Sequence, residues 1–143
     1  MILVDSSVWI DYYRGLQTVY TDTLEALIGN SLIVVGDLIL AEVLQGISDE
    51  GKFIAISKEF DSFDIVTLGG KDVALAAARN YRRLRKLGVT VRGTIDTVIA
   101  TTCILNDFEL LHNDRDFFPF EIHLGMRSVI PHPNQGSGMS LRG

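Results

Sequence analysis

Four acidic residues occupy positions where ordinary solvated carboxylates are not expected, and a fifth lies close to one of them. Asp5 directly follows a short apolar run, and Glu42 lies within the apolar sequence LILAEVL. Asp96 lies near the start of an apolar helical pattern, and Asp114, with Asp116 close behind, follows an apolar pair. An acid among apolar residues is costly unless a positive charge or a hydrogen-bond donor compensates it. The chemistry of these acids is therefore what the fold has to explain.

Carboxylates that lie within a few ångströms of one another repel strongly. Shared protons or a bound divalent cation relieve that repulsion. The single cysteine, Cys103, excludes an internal disulfide framework and a cysteine-based zinc site, and no pair of histidines has ligand spacing. A donor set made only of oxygen favours a hard ion such as Mg²⁺ or Mn²⁺. Ions held in this way typically serve phosphoryl chemistry.

Each acid also has a structural interpretation. Asp96 can complement a helix dipole, and Glu42 can lie on the surface of a half-buried helix. Asp114 and Asp116 lie in the sequence NDRD, which is typical of a turn. Taken alone, Asp5 at the end of a strand and Glu42 with apolar neighbours on both sides favour a functional site, whereas Asp96 is equally consistent with both interpretations. The hypothesis of a site therefore depends on the acids acting together.

Short apolar runs alternate along the chain with helical patterns. Strands are predicted at 2–4, 31–35, 65–68 and 110–111, with a last strand at 123–130. Helices are predicted at 8–13, 21–28, 37–45, 52–60, 72–87 and 94–105. The expected N-cap residues are Ser6 or Ser7 for the first helix, Asp37 for the third and Thr94 for the last.

This alternation predicts an α/β fold, a three-layer α/β/α sandwich around a mostly parallel sheet of four to five strands. The strands of a parallel sheet end at one edge, and the helices that follow begin there. Asp5 and Asp114 are expected at strand ends, and Glu42 and Asp96 in the first turns of helices. All four can therefore converge on one cleft.

The 143 residues predict a single domain at 1–131 and a disordered tail at 132–143, of which 136–143 is interpreted as a vector remnant. The net charge is −5 and the pI about 5.0, which argues against coating nucleic acid by charge alone. The single cysteine favours a reduced, cytoplasmic setting, and no apolar run is long enough for a signal peptide or a membrane span.

Four sequence segments together resemble the PIN-domain ribonucleases, and most closely the VapC toxins of toxin–antitoxin pairs. The segments are ILVDSSVWID, LAEVLQG, TIDTVIA and LLHNDRDF, within roughly residues 1–130. The resemblance implies that Asp5, Glu42, Asp96 and Asp114 are catalytic. It implies Asp5, Asp96 and Asp114 as metal ligands, with Glu42 and Asp116 as further ligands, direct or through water. His112 departs from the family pattern, in which Thr or Ser is common, and a structural hydrogen bond is expected for it.

The implied activity is hydrolysis of RNA phosphodiester bonds with Mg²⁺, for which Mn²⁺ can substitute, leaving a 3′-hydroxyl and a 5′-phosphate. The implied partners are an RNA substrate, a small cognate antitoxin and a second copy of the chain in a homodimer. We expect an apolar groove for the antitoxin from helical residues, namely Leu24, Leu27, Ile28, residues 38–44, Phe53, Ile56 and Phe60.

Two alternatives to the nuclease remain at this stage. One is a phosphatase of another α/β family with an acidic site, although the haloacid-dehalogenase type carries a second Asp where this chain has Ser7. The other is an inactive or weakly active PIN-like module that binds RNA or protein. The cations between Arg79 and Lys86 are interpreted as a solvated helix face, because they are far along the sequence from every acid of the site.

Overall fold

The computed structural model describes residues 1–30 and 32–132, and its centre is a parallel sheet of five strands. The strands are β1 (Ile2–Val4), β2 (Ile33–Gly36), β3 (Asp64–Val66), β4 (Glu109–Leu111) and β5 (Arg127–Ser128). Their order is β3-β2-β1-β4-β5, and each neighbouring pair is parallel. The predicted α/β fold is confirmed, with the first strand at the centre of the sheet.

In the described part of the chain, seven α-helices cover the sheet. They are α1 (Ser6–Tyr13), α2 (Val19–Leu27), α3 (Asp37–Gln45), α4 (Glu50–Phe60), α5 (Lys71–Lys86), α6 (Thr94–Asn106) and α7 (Phe118–Leu124). A short 3-10 helix, Arg115–Phe117, precedes α7. Helix α1 packs on α2 and α3, α3 packs on α4, and α5 packs on both α6 and α7. The helices thus form two groups, which are the outer layers of a three-layer sandwich.

The core explains why β1 is continuously apolar. Leu3 and Val4 are fully buried, as expected for a central strand that is covered on both faces. An aromatic cluster holds α1 against α4: the Trp9 ring stacks on Tyr13 and lies 4.8 Å from the ring centre of Phe60. This packing fixes the start of α1, where Asp5 is located.

The three predicted N-cap residues are wrong by one or two positions. Asp5 itself caps α1, since its side chain accepts a hydrogen bond from the Ser7 amide. Gly36 and Gly93 are the N-cap residues of α3 and α6, and neither has a side chain to make the bond. Asp37 instead lies inside α3, where its Oδ1 accepts from the amides of Leu38 and Leu68. A carboxylate predicted as a cap therefore ties α3 to the chain that follows β3.

The predicted last strand at 123–130 is mostly wrong. Helix α7 occupies 118–124, and only Arg127 and Ser128 pair with β4. Pro119 lies in the first turn of α7, where its missing amide hydrogen costs nothing, and Gly125 ends the helix with a φ of 76°. This short helix was not predicted, because the aromatic, proline-containing sequence FFPF does not resemble a helical pattern.

Two sequence predictions extend beyond the described residues. Ser31, the first residue of the predicted second strand, lies outside them, and so does the predicted tail apart from His132. Within the described part of the chain, the helices are too short or too polar to cross a bilayer.

Candidate active site

The carboxyl edge of the sheet carries the predicted acids. Asp5 follows β1 directly, and Asp114 lies three residues after β4. Asp96 is the third residue of α6, whereas Glu42 is the sixth residue of α3 and so lies in its second turn rather than its first. The parallel topology therefore places strand ends and helix starts at one edge, as the sequence predicted.

Three of the acids form a tight cluster. One carboxylate oxygen from each of Asp96, Asp114 and Asp116 lies within 4.8 Å of the other two. All three side chains are partly exposed, so the cluster opens to solvent. The sequence placed Asp116 last among the ligands, but the fold brings it into this group. Asp5 and Glu42 lie outside the cluster, although their charges act on Asp96.

Asp5 is the most buried of the acids, at 4% exposure. Burial raises the pKa of Asp5, the hydrogen bonds from Ser7 oppose the rise, and the charge of Asp114 adds to it. A buried carboxyl with one oxygen bound to a helix amide has a fixed orientation. Asp5 therefore contributes a rigid charge at the base of the site.

Glu42 has an unsatisfied oxygen. Its Oε1 atom is buried and has no hydrogen-bond partner among residues 1–30 and 32–132. Burial raises the pKa of Glu42, and the negative charge of Asp5 raises it further. A buried, unpaired carboxylate oxygen is unfavourable without a cation or a proton. Its presence beside Asp5 therefore indicates that a positive species completes this site.

Asp96 is influenced by all the other acids of the site. Its pKa rises from 3.8 to about 6, because of burial first and then the charges of Asp5, Asp114, Asp116 and Glu42. The backbone beside it is tightly packed: a Cβ atom on Gly93 would lie 3.3 Å from Asp96 Oδ2. A glycine before α6 thus leaves room for this carboxylate.

Hydrogen bonds hold both the side chain and the backbone amide of Asp114. Its Oδ1 accepts from the amide of Asp116, and its own amide donates to Nδ1 of His112. The amide of the neighbouring Asn113 donates to Oγ of Ser7, which joins this turn to the start of α1. The cluster acid Asp114 and the buried Asp5 are therefore held by connected parts of the backbone.

A buried hydrogen-bond chain behind the site was not found from the sequence. Because Nδ1 of His112 accepts from a backbone amide, its Nε2 carries the hydrogen and donates to Ser128 Oγ. Ser128 Oγ then donates to Glu121 Oε2, and Glu121 Oε1 accepts from the amide of His132. Burial lowers the pKa of His112, in keeping with a neutral ring. The structural hydrogen bond expected for His112 is present, as part of a larger chain.

The donor set fits a hard divalent cation. Asp5, Glu42, Asp96, Asp114 and Asp116 offer only carboxylate oxygens, and Cys103 is buried in the core. Clustered oxygen donors suit Mg²⁺ or Mn²⁺ better than zinc. The unpaired oxygen of Glu42 and the raised pKa of Asp96 are both effects that a cation would relieve.

A family model and a ribonuclease sequence each match most of this chain. The PIN domain family model matches residues 2–120. Ribonuclease VapC11 of Mycobacterium tuberculosis is 28% identical over 119 residues, 82% of this chain and 89% of that protein.

Two solved structures have the same fold. FitAcB from Neisseria gonorrhoeae has a TM-score of 0.71 at 19% identity, covering 92% of this chain and 98% of that one. A toxin-antitoxin complex from Klebsiella pneumoniae has a TM-score of 0.63 at 19% identity, covering 82% and 90%.

Proposed function

The chain belongs to the PIN-domain family, and we propose that it is a VapC-type endoribonuclease toxin that uses Mg²⁺ or Mn²⁺. The observation that carries the proposal is the cluster of Asp96, Asp114 and Asp116, whose oxygens lie within 4.8 Å of one another. The similarity to ribonuclease VapC11 supports RNA as the substrate. Family membership disfavours the phosphatase alternative, and the presence of all five acids disfavours an inactive module.

In this proposal Asp96, Asp114 and Asp116 would hold the cation, with Asp5 and Glu42 beside them as direct ligands or through water. A divalent cation in such a site supplies an activated water and stabilises charge on the phosphate. Asp5, Glu42 and Asp96 have raised pKa values, so they must lose any proton they hold before they can act as ligands. Asp5 is further fixed by the Ser7 amide, and Asp114 by His112.

The test is cleavage of a structured RNA by the purified chain, free of any antitoxin. We expect cleavage with Mg²⁺ or Mn²⁺, none in EDTA, and little with Ca²⁺, whose looser coordination positions water poorly. Asp5→Asn should reduce the rate by about 100-fold or more, exceeding the ~10–100-fold typical of residues that only support a ligand. Asp64→Asn, which removes an exposed carboxylate from β3, is the matched control.

Two results would contradict the nuclease proposal. If Asp5→Asn cleaves RNA as fast as the wild type, the activity belongs to a contaminating nuclease. If nitrophenyl phosphate is hydrolysed while RNA is not, the site is that of a phosphatase.

The proposal includes a small cognate antitoxin, which the similarity to a toxin-antitoxin complex supports. The groove expected for it needs a correction, because Leu24, Ile39 and Phe60 are buried in the core and cannot line a surface. An open groove does lie between α1, α3 and α4, and Ile10, Tyr13 and Ile56 are among the residues that line it. Affinity purification from the native host should recover a small protein; repeated recovery of the chain alone would count against it.

A homodimer that acts in the cytoplasm completes the proposal. RNA is available there, and the reducing conditions keep the buried thiol of Cys103 free. Light scattering during size-exclusion chromatography measures the mass directly, and a monomer at micromolar concentration would contradict the homodimer.

A further inference from the structure

The positive charge of this acidic protein is concentrated in one segment. No acidic residue occurs between Asp72 and Asp96, yet that stretch holds six of the thirteen Lys and Arg residues of the chain. These six are all exposed: Arg79, Arg82, Arg83, Arg85, Lys86 and Arg92. The segment therefore has a charge opposite to that of the protein as a whole.

Four of the cations share one face of α5. Arg79, Arg82, Arg83 and Lys86 are spaced i, i+3, i+4 and i+7, so they form a row along the helix. The buried Ala77 and Leu84 lie on the opposite side. The row spans about 10 Å along the helix axis. This "basic face" (Arg79, Arg82, Arg83 and Lys86) presents several cations to solvent in a line.

Packing brings one residue of the basic face, Arg82, to the start of α6, the helix that carries Asp96. Arg82 and Thr94 line the same groove between α5 and α6, and Thr94 is two residues from Asp96. Arg92 immediately precedes Gly93, the glycine whose backbone lies against Asp96. Arg82 and Arg92 therefore both lie near the first turn of α6, where Asp96 is located.

Nothing within the described chain neutralises the basic face. In residues 1–30 and 32–132, the ion pairs are those of Arg127 with Asp107 and Glu109. The helix dipole favours the cations of the last turn, but Arg79 and Arg82 lie before it. Like charges four residues apart, as in Arg79 with Arg83, destabilise a helix. The charge is thus unfavourable to the fold alone and suits an external anion.

We propose that the basic face and Arg92 bind the phosphate backbone of the RNA strand whose cleaved phosphate lies in the acidic site. The proposal rests on the proposed ribonuclease function and assigns to it the surface that holds the substrate. Arginine, which makes up most of this surface, binds phosphate through two parallel hydrogen bonds and so suits a polyphosphate chain. An acidic site repels RNA, and a row of cations on α5, which packs against the α6 helix that carries Asp96, offsets that repulsion.

The test compares two double variants that remove the same charge from two exposed helices. Arg79→Ala with Arg83→Ala removes two cations of the basic face. Lys52→Ala with Lys58→Ala removes two from α4 and is the matched control. Binding of a labelled 20-nucleotide single strand is measured by anisotropy in EDTA, in an Asp96→Asn background, so that cleavage does not interfere. Thermal melts serve as the control that both variants fold.

We expect the basic-face variant to bind RNA about 10-fold more weakly, and its slope of log K against log salt to fall by about 1.4, as for two lost phosphate contacts. The control should change affinity less than about 2-fold. With Asp96 restored and Mg²⁺ present, the basic-face variant should raise KM more than it lowers kcat.

Equal losses in the two variants, or no RNA binding by the wild type, would overturn the proposal. Poly-glutamate, a polyanion without phosphate, is the second probe. If the basic-face variant loses binding of poly-glutamate in parallel with binding of RNA, or loses binding of poly-glutamate alone, the RNA assignment is wrong. If RNA binds through the basic face but is not cleaved with Mg²⁺, the proposed nuclease fails and the RNA-binding surface stands. If the basic-face variant cleaves RNA at the wild-type rate, the proposed nuclease stands and the RNA-binding surface fails.

Discussion

Replacing Asp96 with Asn tests whether mutual repulsion of the acids costs the metal-free protein stability. The pKa of Asp96 rises from 3.8 to about 6, because of burial first and then the charges of all four other acids. A change of that size corresponds to about 3 kcal/mol at full strength. Asp96 is partly exposed, and solvent screening reduces the value to about 1 kcal/mol. We therefore expect Asp96→Asn to raise the melting temperature in EDTA at pH 7.5 by about 2–5 °C.

The sign of the pH dependence follows from the direction of the pKa change. Because the pKa of Asp96 is higher in the folded protein, the native state binds a proton more tightly than the unfolded chain between pH 3.8 and about 6. The wild type should lose this contribution to stability as the pH rises through that window, and Asp96→Asn should not. The advantage of the variant should therefore be larger at pH 7.5 than at pH 4.5.

The measurement is a series of circular dichroism melts in EDTA at several pH values. Asp64→Asn, the exposed control on β3, should leave the melting temperature within about 2 °C of wild type, since surface substitutions rarely exceed ~0.5 kcal/mol. A variant at position 96 that melts several degrees below wild type at pH 7.5 would refute the repulsion argument. That result would mean that the Asp96 carboxylate stabilises α6 and has a structural role.

Two further predictions concern the cation and the hydrogen-bond chain behind the site. Saturating Mg²⁺ should stabilise the wild type by about 2.7 kcal/mol at 100 times its Kd and stabilise Asp96→Asn less, and equal shifts in the two melts would argue against Asp96 as a ligand. Ser128→Ala leaves Nε2 of His112 and Oε2 of Glu121 without their partner, so chemical denaturation should show a loss of about 1–3 kcal/mol. A loss below about 0.5 kcal/mol, the range of ordinary surface changes, would mean that water replaces the hydroxyl.

The sequence predicted the elements whose signals are local. Strand β1 was predicted to the residue because a strand covered on both faces is apolar throughout. The edge that carries Asp5, Asp96 and Asp114 followed from the parallel topology alone. Periodicity is a property of short segments, and the alternation of strands with helices follows from it, so both can be predicted without knowledge of the packing.

Contacts between distant segments could not be predicted in the same way. His112 and Ser128 are sixteen residues apart, and nothing in either position indicates that the other will be its partner. The inclusion of Asp116 in the cluster depends on the 3-10 helix after Asp114, which turns two acids of one short segment toward Asp96. The path of α5 past α6 is likewise a packing result, and it brings Arg82 to Thr94.

The salt dependence of RNA affinity reflects both the acidic site and the basic face, because the acids repel RNA and the cations attract it. Outside residues 79–92, seven Lys and Arg residues stand against eighteen acids, so most of the surface repels a polyanion. At physiological ionic strength that repulsion is screened beyond about 8 Å. Added salt therefore weakens contacts to the basic face and also relieves the repulsion elsewhere. For the wild type we expect the first effect to prevail, since direct phosphate contacts release condensed ions, so affinity should fall as salt rises. In the variant without Arg79 and Arg83 the balance shifts, and the slope should be shallower by about 1.4, as for two lost phosphate contacts. A slope that stays equally steep would place the phosphate contacts on another surface of the protein.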